Sequence, residues 1–441
     1  MESLKLQFKV KSCGNTQQFL ILAIFFLLPF YFIKFKYSWI SLNLVEILII
    51  SLFLIWILSR EKKFSILNSQ FSIPVGLIFT GLFLSTIISK NYYVGLGAIK
   101  GWFVLPILFA IIFYNCLKRS EKLLDWSLWA LFSSGVLVSM EGIYYWFSGL
   151  LTFDGRLRIF YDSSNQLAMF LAPAFLVGLF LFLKETEKKR KAILAVGLLL
   201  LGLNLYLTFS YGAWLSLAVV LTILLMLILK NKKSKITRIA FISIFLLILF
   251  FCQKDNFSNT RLFGERSSLA SRMMIWKSAG LMIKNNPLFG IGTGNFQNKY
   301  LEYQKYFPPY LEWSAPQPHN LYLAFWLESG LLGLTGFIWL LAVFFRDNKK
   351  VCPFTKINES DSTLIHRTKK QTGKSLASTE DFGGGAIVAS RSYGNLCLVI
   401  MLYFLIHGLV DTTYWRNDMA ILFWWIAAVN LYLAHSQRDS L

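Results

Sequence analysis

Residues 286–334 read NPLFGIGTGNFQNKYLEYQKYFPPYLEWSAPQPHNLYLAFWLESGLLGL. The first part is polar, aromatic and punctuated by glycine and proline, as a loop is. At Pro318-His319-Asn320 it passes directly into a long apolar run. A run of that length with so few charges is read as a helix that crosses a bilayer. A titratable imidazole thus stands at the mouth of a membrane helix, and the remainder of the chain reads as the frame that holds this mouth.

Working outward, similar runs recur along the 441 residues, near 17–35, 40–58, 72–89, 101–117, 126–149, 164–183, 192–209, 211–229, 236–252, 319–345, 393–408 and 416–434. The chain is 56% hydrophobic and 17% aromatic, more apolar surface than a soluble chain of this length can hide. Runs bounded by charged or Gly/Pro/Asn-rich breaks indicate helices, not a barrel. The predicted fold class is therefore all-α, a polytopic integral membrane protein of about twelve transmembrane helices. Lys5, Lys9 and Lys11 precede the first run without a small-residue cleavage site after it, so that run is read as a retained helix.

Basic residues predict the orientation. With both termini cytoplasmic, the inner segments carry Arg60, Lys62 and Lys63, then Lys118, Arg119 and Lys122, then the clusters 184–191 and 230–238. The short outer loops hold only Lys34, Lys36, Lys90, Lys100, Arg156, Arg158 and Arg416. The formal net charge of +21 is then a topology signal and a match to anionic lipid heads, and nucleic acid is excluded as a partner. The five cysteines form no CxxC pair, which predicts neither a metal cluster nor a structural disulfide.

Three regions follow: an N-terminal bundle of about nine spans over 1–252, an extracytoplasmic loop domain over 253–318, and C-terminal helices over 319–441. The last holds a Ser/Thr/Lys/Gly-rich cytoplasmic insert near 346–392, whose composition predicts disorder. Within the outer loop, Ser268–Asn285 places Leu269, Met273, Trp276, Gly280 and Ile283 on one helical stripe, with Arg272, Lys277 and Lys284 away from it. That pattern predicts an amphipathic helix on the bilayer surface or on the rim of the bundle.

Each candidate site residue carries two readings. Pro318 suits the first turn of a helix, which puts His319 at the exposed N-terminal end of the tenth span. There the helix dipole favours a neutral, basic ring and an anionic neighbour; the alternative is an interfacial histidine bonded to a carbonyl. Arg272, Arg266, Arg156 and Arg158 are either lipid-facing cations or bidentate clamps for a pyrophosphate. Gly290-Ile291-Gly292-Thr293-Gly294 has no strand before it and no acidic residue closing a βαβ unit, so it is a turn and not a dinucleotide site. Glu141, Glu328 and His407 fall in apolar runs, either lining a polar cleft or bonding helices together. His407 and Asp411 stand four apart, too few ligands for a metal site.

With these residues in place a resemblance is evident. Arg272-x-x-x-Trp276, the stretch NPLFGIGTGNF over 286–296 and HNLYLAFWLESGLLGL over 319–334 resemble the O-antigen ligase/polymerase (Wzy-C) superfamily. His407-Gly408-Leu409-Val410-Asp411 through Asn417-Asp418 to Trp424, and Asn165-Gln166-Leu167-Ala168, are similar to further stretches of the same group. The resemblance implies a membrane glycosyltransferase. It would move a glycan from an undecaprenyl-diphosphate carrier to an acceptor hydroxyl, without a metal or other cofactor, at the outer face of the inner membrane. The acceptor would be a glycan, a lipid or a protein. His319 would be the base and Arg272 the pyrophosphate clamp, with Arg266, Arg156, Arg158, Tyr211, Asn165 and Asn320 as candidate substrate-binding residues. One position departs from the family, which carries Ser-Arg-Gly where this chain has Ser210-Tyr211-Gly212. Competing readings are a glycolipid transporter or flippase, which calls for inverted repeats, and a protein O-oligosaccharyltransferase.

Overall fold

A computed structural model describes residues 14–38, 40–59, 70–228, 268–308, 313–352 and 384–439. The fold is a helical bundle. Helix α1 (Asn15–Leu27) runs into a 3-10 turn (Leu28–Phe32) and a short antiparallel hairpin, β1 (Lys34–Tyr37) with β2 (Ile40–Asn43). Then come α2 (Leu44–Leu58), α3 (Ser72–Ser89), α4 (Tyr92–Ile99), a π-helical turn (Lys100–Val104), α5 (Leu105–Leu117), α6 (Lys122–Phe147), α7 (Ser164–Lys184), α8 (Lys188–Leu207) and α9 (Tyr211–Ile228). Further on lie α10 (Ser268–Asn285), α11 (Phe296–Tyr303), α12 (Leu321–Val351), α13 (Gly384–His407) and α14 (Asn417–Asp439). Among the described residues, eight helices are long and apolar enough to cross a membrane: Asn15–Phe32, Ser72–Ser89, Tyr92–Leu117, Lys122–Phe147, Ser164–Lys184, Lys188–Leu207, Leu321–Val351 and Asn417–Gln437. Leu44–Leu58 and Tyr211–Met226 are shorter apolar helices. The all-α polytopic reading is correct. The run 236–252 and Arg266 lie outside the described residues, as does most of the 346–392 insert.

The differences from the sequence reading are local. The first loop is a hairpin that leads into a capping box on α2, where the Asn43 side chain accepts from Glu46 N and Glu46 accepts from Asn43 N. Lys100 is not in a loop: it lies in the π-helical turn, and its ammonium reaches Glu46 Oε2 at 2.9 Å and Ser41 O at 2.8 Å. Cys116 is disulfide-bonded, contrary to expectation, whereas Cys352 and Cys397 are free.

Two features of the bundle position the site. The first is a break in α12 at Gly330, whose φ of +67° is open to glycine at little cost. The glycine loop 290–294 fits into that break: Ile291 N donates to Leu327 O at 2.6 Å and Leu331 N to Leu288 O at 2.9 Å. A Cβ on Gly330 would stand 2.4 Å from Leu288 O. The amides of this loop are used in packing, since Gly292 N donates to Ser85 Oγ and Gly294 N to Glu328 Oε2. Glu328 is therefore a bond between elements. Glu141, by contrast, is exposed on α6. The second feature is an aromatic nest in which Phe103, Phe325, Tyr414 and Trp415 meet, with Phe325 stacked on Phe337 at 3.9 Å. Tyr414 Oη donates to Trp102 O at 2.7 Å, which fixes the connection between α13 and α14 onto the bundle.

Candidate functional site

The site forms at the bundle end where α12 begins and α13 finishes. Asn320, not a residue within the first turn, caps α12: its Oδ1 accepts from Tyr322 N and Leu323 N. Pro318 and His319 therefore precede the helix, and His319 takes φ +46°. A non-glycine residue held in that region costs on the order of 1–3 kcal/mol and persists only where its surroundings fix it. The surroundings do so here. Asn320 Nδ2 donates to Leu409 O at 2.9 Å, Leu321 N to Gly408 O at 2.7 Å, and Gln317 Nε2 to Trp415 O at 2.9 Å. Gly408 permits this approach, because a Cβ there would meet Leu321 Cβ at 2.9 Å.

Helix α10 clamps the same segment from the other side. Trp276 Nε1 donates to Pro318 O at 3.1 Å and lies 3.4 Å from His319 O. One turn earlier, Arg272 Nε donates to Val410 O at 2.8 Å, and Arg272 Nη2 lies 3.7 Å from Asp411 Oδ2. The i, i+4 spacing of Arg272 and Trp276 puts both on one face, which explains the Arg-x-x-x-Trp pattern. The predicted helix is present, but its apolar stripe is not the one read from sequence. The buried face is Ser271, Met274, Ile275, Ser278, Ala279 and Met282, whereas Leu269 and Met273 are exposed. The small residues let α10 sit close to its neighbours, and this brings Arg272 inward.

His319 Nδ1 lies 2.9 Å from Asp411 Oδ1. Asp411 is 3% exposed and also accepts from Thr412 N at 2.8 Å. Burial by itself raises its carboxyl pKa, but His319, Arg272 and His407 together hold it well below the usual carboxylate range. An ionised carboxylate only accepts hydrogen bonds, so the proton of a neutral His319 ring is on Nδ1 and the lone pair is on Nε2. The ring is 29% exposed, so Nε2 is reachable.

Sequence reasoning missed Asp411 as the partner of His319 and considered it only beside His407. That pairing is corrected: His407 is 1% exposed and its Nδ1 meets Tyr403 Oη at 2.9 Å inside the bundle, with Gly212 packed on its ring. The only signal for Asp411 was its place in the His407–Asp411 stretch at the end of an apolar run.

The remaining candidates divide. Arg156 donates from Nε to Thr208 O at 2.8 Å and from Nη2 to Asn165 Oδ1 at 2.8 Å, so Asn165 orients an arginine. Burial lowers the Arg156 guanidinium pKa, and its electrostatic neighbours are Asp154, Tyr211, Arg272 and Asp411. Tyr211 heads α9 with its ring edge on Trp214. Arg158 is exposed. Asn320 spends its side chain on capping and cross-linking. Arg416, counted from sequence only as an outer-loop charge, is buried against Asp418 at 2.6 Å and stacks over Tyr161.

Fold and site together define a polytopic helical membrane protein with a histidine–carboxylate pair and two arginines at one end. A family model described as O-antigen ligase matches residues 194–338, which include Tyr211, Arg272, Trp276 and His319. Among curated relatives, the chain is 26% identical to an uncharacterized protein of Haemophilus influenzae, over 40% of this chain and 48% of that one. It is 27% identical to an O-antigen ligase of Salmonella typhimurium, over 41% of this chain and 45% of the relative. The chain thus spans about half the length of the curated relatives it matches. Over these stretches the chain is similar to O-antigen ligases.

Proposed function

We propose that the chain transfers a glycan from an undecaprenyl-diphosphate carrier to an acceptor hydroxyl at the outer face of the inner membrane. The observation that carries this reading is one buried carboxylate, Asp411, that contacts both His319 at 2.9 Å and Arg272 at 3.7 Å. His319 Nε2 takes the proton of the acceptor hydroxyl as its oxygen attacks the anomeric carbon. The bond from that carbon to the diphosphate breaks, and the lipid diphosphate leaves as an anion beside Arg272. A single displacement of this kind inverts the anomeric centre. Asp411 holds the Nδ1–H tautomer and stabilises the imidazolium that forms. General-base catalysis supplies ~10²–10⁴-fold, and a preorganised partner for the leaving group about 3–4 kcal/mol by analogy with oxyanion donors.

The acceptor class, whether lipid-linked core, repeat unit or protein, is set by the outer loops. The test is incorporation of lipid-linked glycan into product by membranes carrying His319→Ala. Loss of product with normal membrane insertion is the expected result. An unchanged product ladder removes His319 from the chemistry.

A further inference from the structure

We infer that residues 313–317, the extended strap that leads into His319, are the subsite for a glycan acceptor, with the face of Trp313 as the platform on which a sugar ring stacks. The inference rests on the transferase reading above and names what that site takes. It begins from the backbone. Among the described residues, no N–H or C=O of 313–317 makes a hydrogen bond. Backbone polar groups are strong donors and acceptors, left unpaired by a folded chain only where water or a ligand takes them.

The strap is nevertheless fixed, by side chains. Ala315, 1% exposed, packs with Phe296, Tyr300 and Leu327 of α11 and α12. Ser314 Oγ accepts from Gln297 Nε2 at 2.9 Å, which ties the strap to α11. At the other end Gln317 Nε2 donates to Trp415 O, and Pro318 O accepts from Trp276 Nε1. The buried positions, Ala315 and Pro318, stand three apart, as do the exposed ones, Trp313 and Pro316. That is the period of a polyproline-like strand, which Pro316 and Pro318 favour. A sheet edge that pairs with a peptide has period two. Here the unspent amides and carbonyls point in three directions, and this suits a sugar chain, whose hydroxyls donate and accept all around each ring.

Trp313 is 70% exposed. At ~3.1 Å per residue the six steps from it to His319 cover at most about 19 Å, the reach of a short oligosaccharide. The flat C–H face of a pyranose packs on an indole, which offers a large apolar face of fixed shape. A tryptophan seated in lipid belongs to an apolar stripe, whereas Ser314 and Gln317 share the accessible side of this strap. The side of approach selects the acceptor over the donor. Arg272 meets the dyad at Val410 and Asp411, while the strap leaves His319 toward α11. In an inverting displacement the attacking hydroxyl and the departing diphosphate lie on opposite sides of the anomeric carbon. A chain on the strap therefore brings its hydroxyl to His319 Nε2 from the side away from Arg272.

The experiment measures steady-state transfer by the full chain in nanodiscs, with lipid-linked glycan and acceptor extracted from the envelope of the source cells. The lipid-free oligosaccharide released from that envelope by mild acid is the soluble competitor. It is expected to compete with the acceptor on the wild type. Trp313→Ala is expected to raise its inhibition constant, and KM for the acceptor, by about five- to tenfold, the worth of one stacked ring, with KM for the donor within twofold. Trp313→Tyr keeps a stacking face and is expected within threefold of wild type. No competition on the wild type, or competition unchanged in Trp313→Ala, overturns the assignment and leaves the transferase reading in place. So does competition by peptide fragments of envelope proteins instead of the oligosaccharide, which points to a protein acceptor. An effect of Trp313→Ala on kcat or donor KM alone also overturns it and makes the ring a membrane or packing contact. A wild type that transfers glycan to no acceptor removes the transferase reading and this inference with it.

Discussion

His319 Nδ1 and Asp411 Oδ1 stand 2.9 Å apart although 92 residues separate them in the chain. The two arrive from opposite elements, one just before α12 and the other just after α13. The contact depends on Asn320, Gly408 and Trp276 holding the two segments together. If Asp411 sets the tautomer, Asp411→Asn lowers kcat by at least ~10²-fold, as expected when a base loses its orienting carboxylate. KM for the donor changes less, and steady-state assays of the purified variant separate the two. A kcat within threefold of wild type would make Asp411 a packing residue only.

Acid stability gives a second view of Asp411. Its folded pKa is depressed, so its stabilisation is full above the ordinary carboxylate value near ~4 and is lost as pH falls from there toward the folded value. Removing one member of a buried pair costs about 3–5 kcal/mol. The melting temperature of the wild type should exceed that of Asp411→Asn at pH 6, and the gap should narrow as the pH is lowered below 4. A gap that widens on acidification contradicts the assigned sign.

Trp276 is expected to act through His319. Trp276→Phe keeps an aromatic body and removes the donor to Pro318 O, at a cost of about 1 kcal/mol. Transfer should slow several-fold with donor binding retained. Equal activity of the two proteins would mean that the strained His319 backbone is fixed without the indole.

Gly330→Ala tests how the glycine loop seats. The new methyl would meet Leu288 O at 2.4 Å on a residue with φ +67°, so thermal stability should fall by about 1–3 kcal/mol or more. Gly97→Ala, in a helix with nothing within 4 Å of the added Cβ, should be neutral or stabilising by up to ~1 kcal/mol. Similar effects from both substitutions would mean that the break in α12 is not specified by Gly330.

Glu328 distinguishes bonding from charge. It accepts from Gly294 N at 2.8 Å and is 3% exposed. Glu328→Gln keeps an acceptor and should leave transfer nearly unchanged. Glu328→Leu strands the Gly294 amide at about 1–3 kcal/mol. Loss of turnover in Glu328→Gln with an unchanged melting temperature would instead assign the carboxyl a part in the chemistry.

The sequence alone was enough for the helical membrane class, and it singled out two residues of the candidate site. A bilayer-crossing segment satisfies its own backbone hydrogen bonds, so length and hydropathy identify it without knowledge of its neighbours. His319 was visible because a histidine at the mouth of an apolar run is chemically conspicuous, and Arg272 because it recurs one turn before Trp276. Only the tertiary structure decided which carboxylate meets His319, that Asn320 and not Pro318 starts α12, which face of α10 is buried, and that Arg156 rather than Arg158 turns toward Tyr211. Those choices belong to contacts between segments far apart in the chain. The glycines and small side chains at the crossings set how near two segments come, and no periodicity within either segment records that distance.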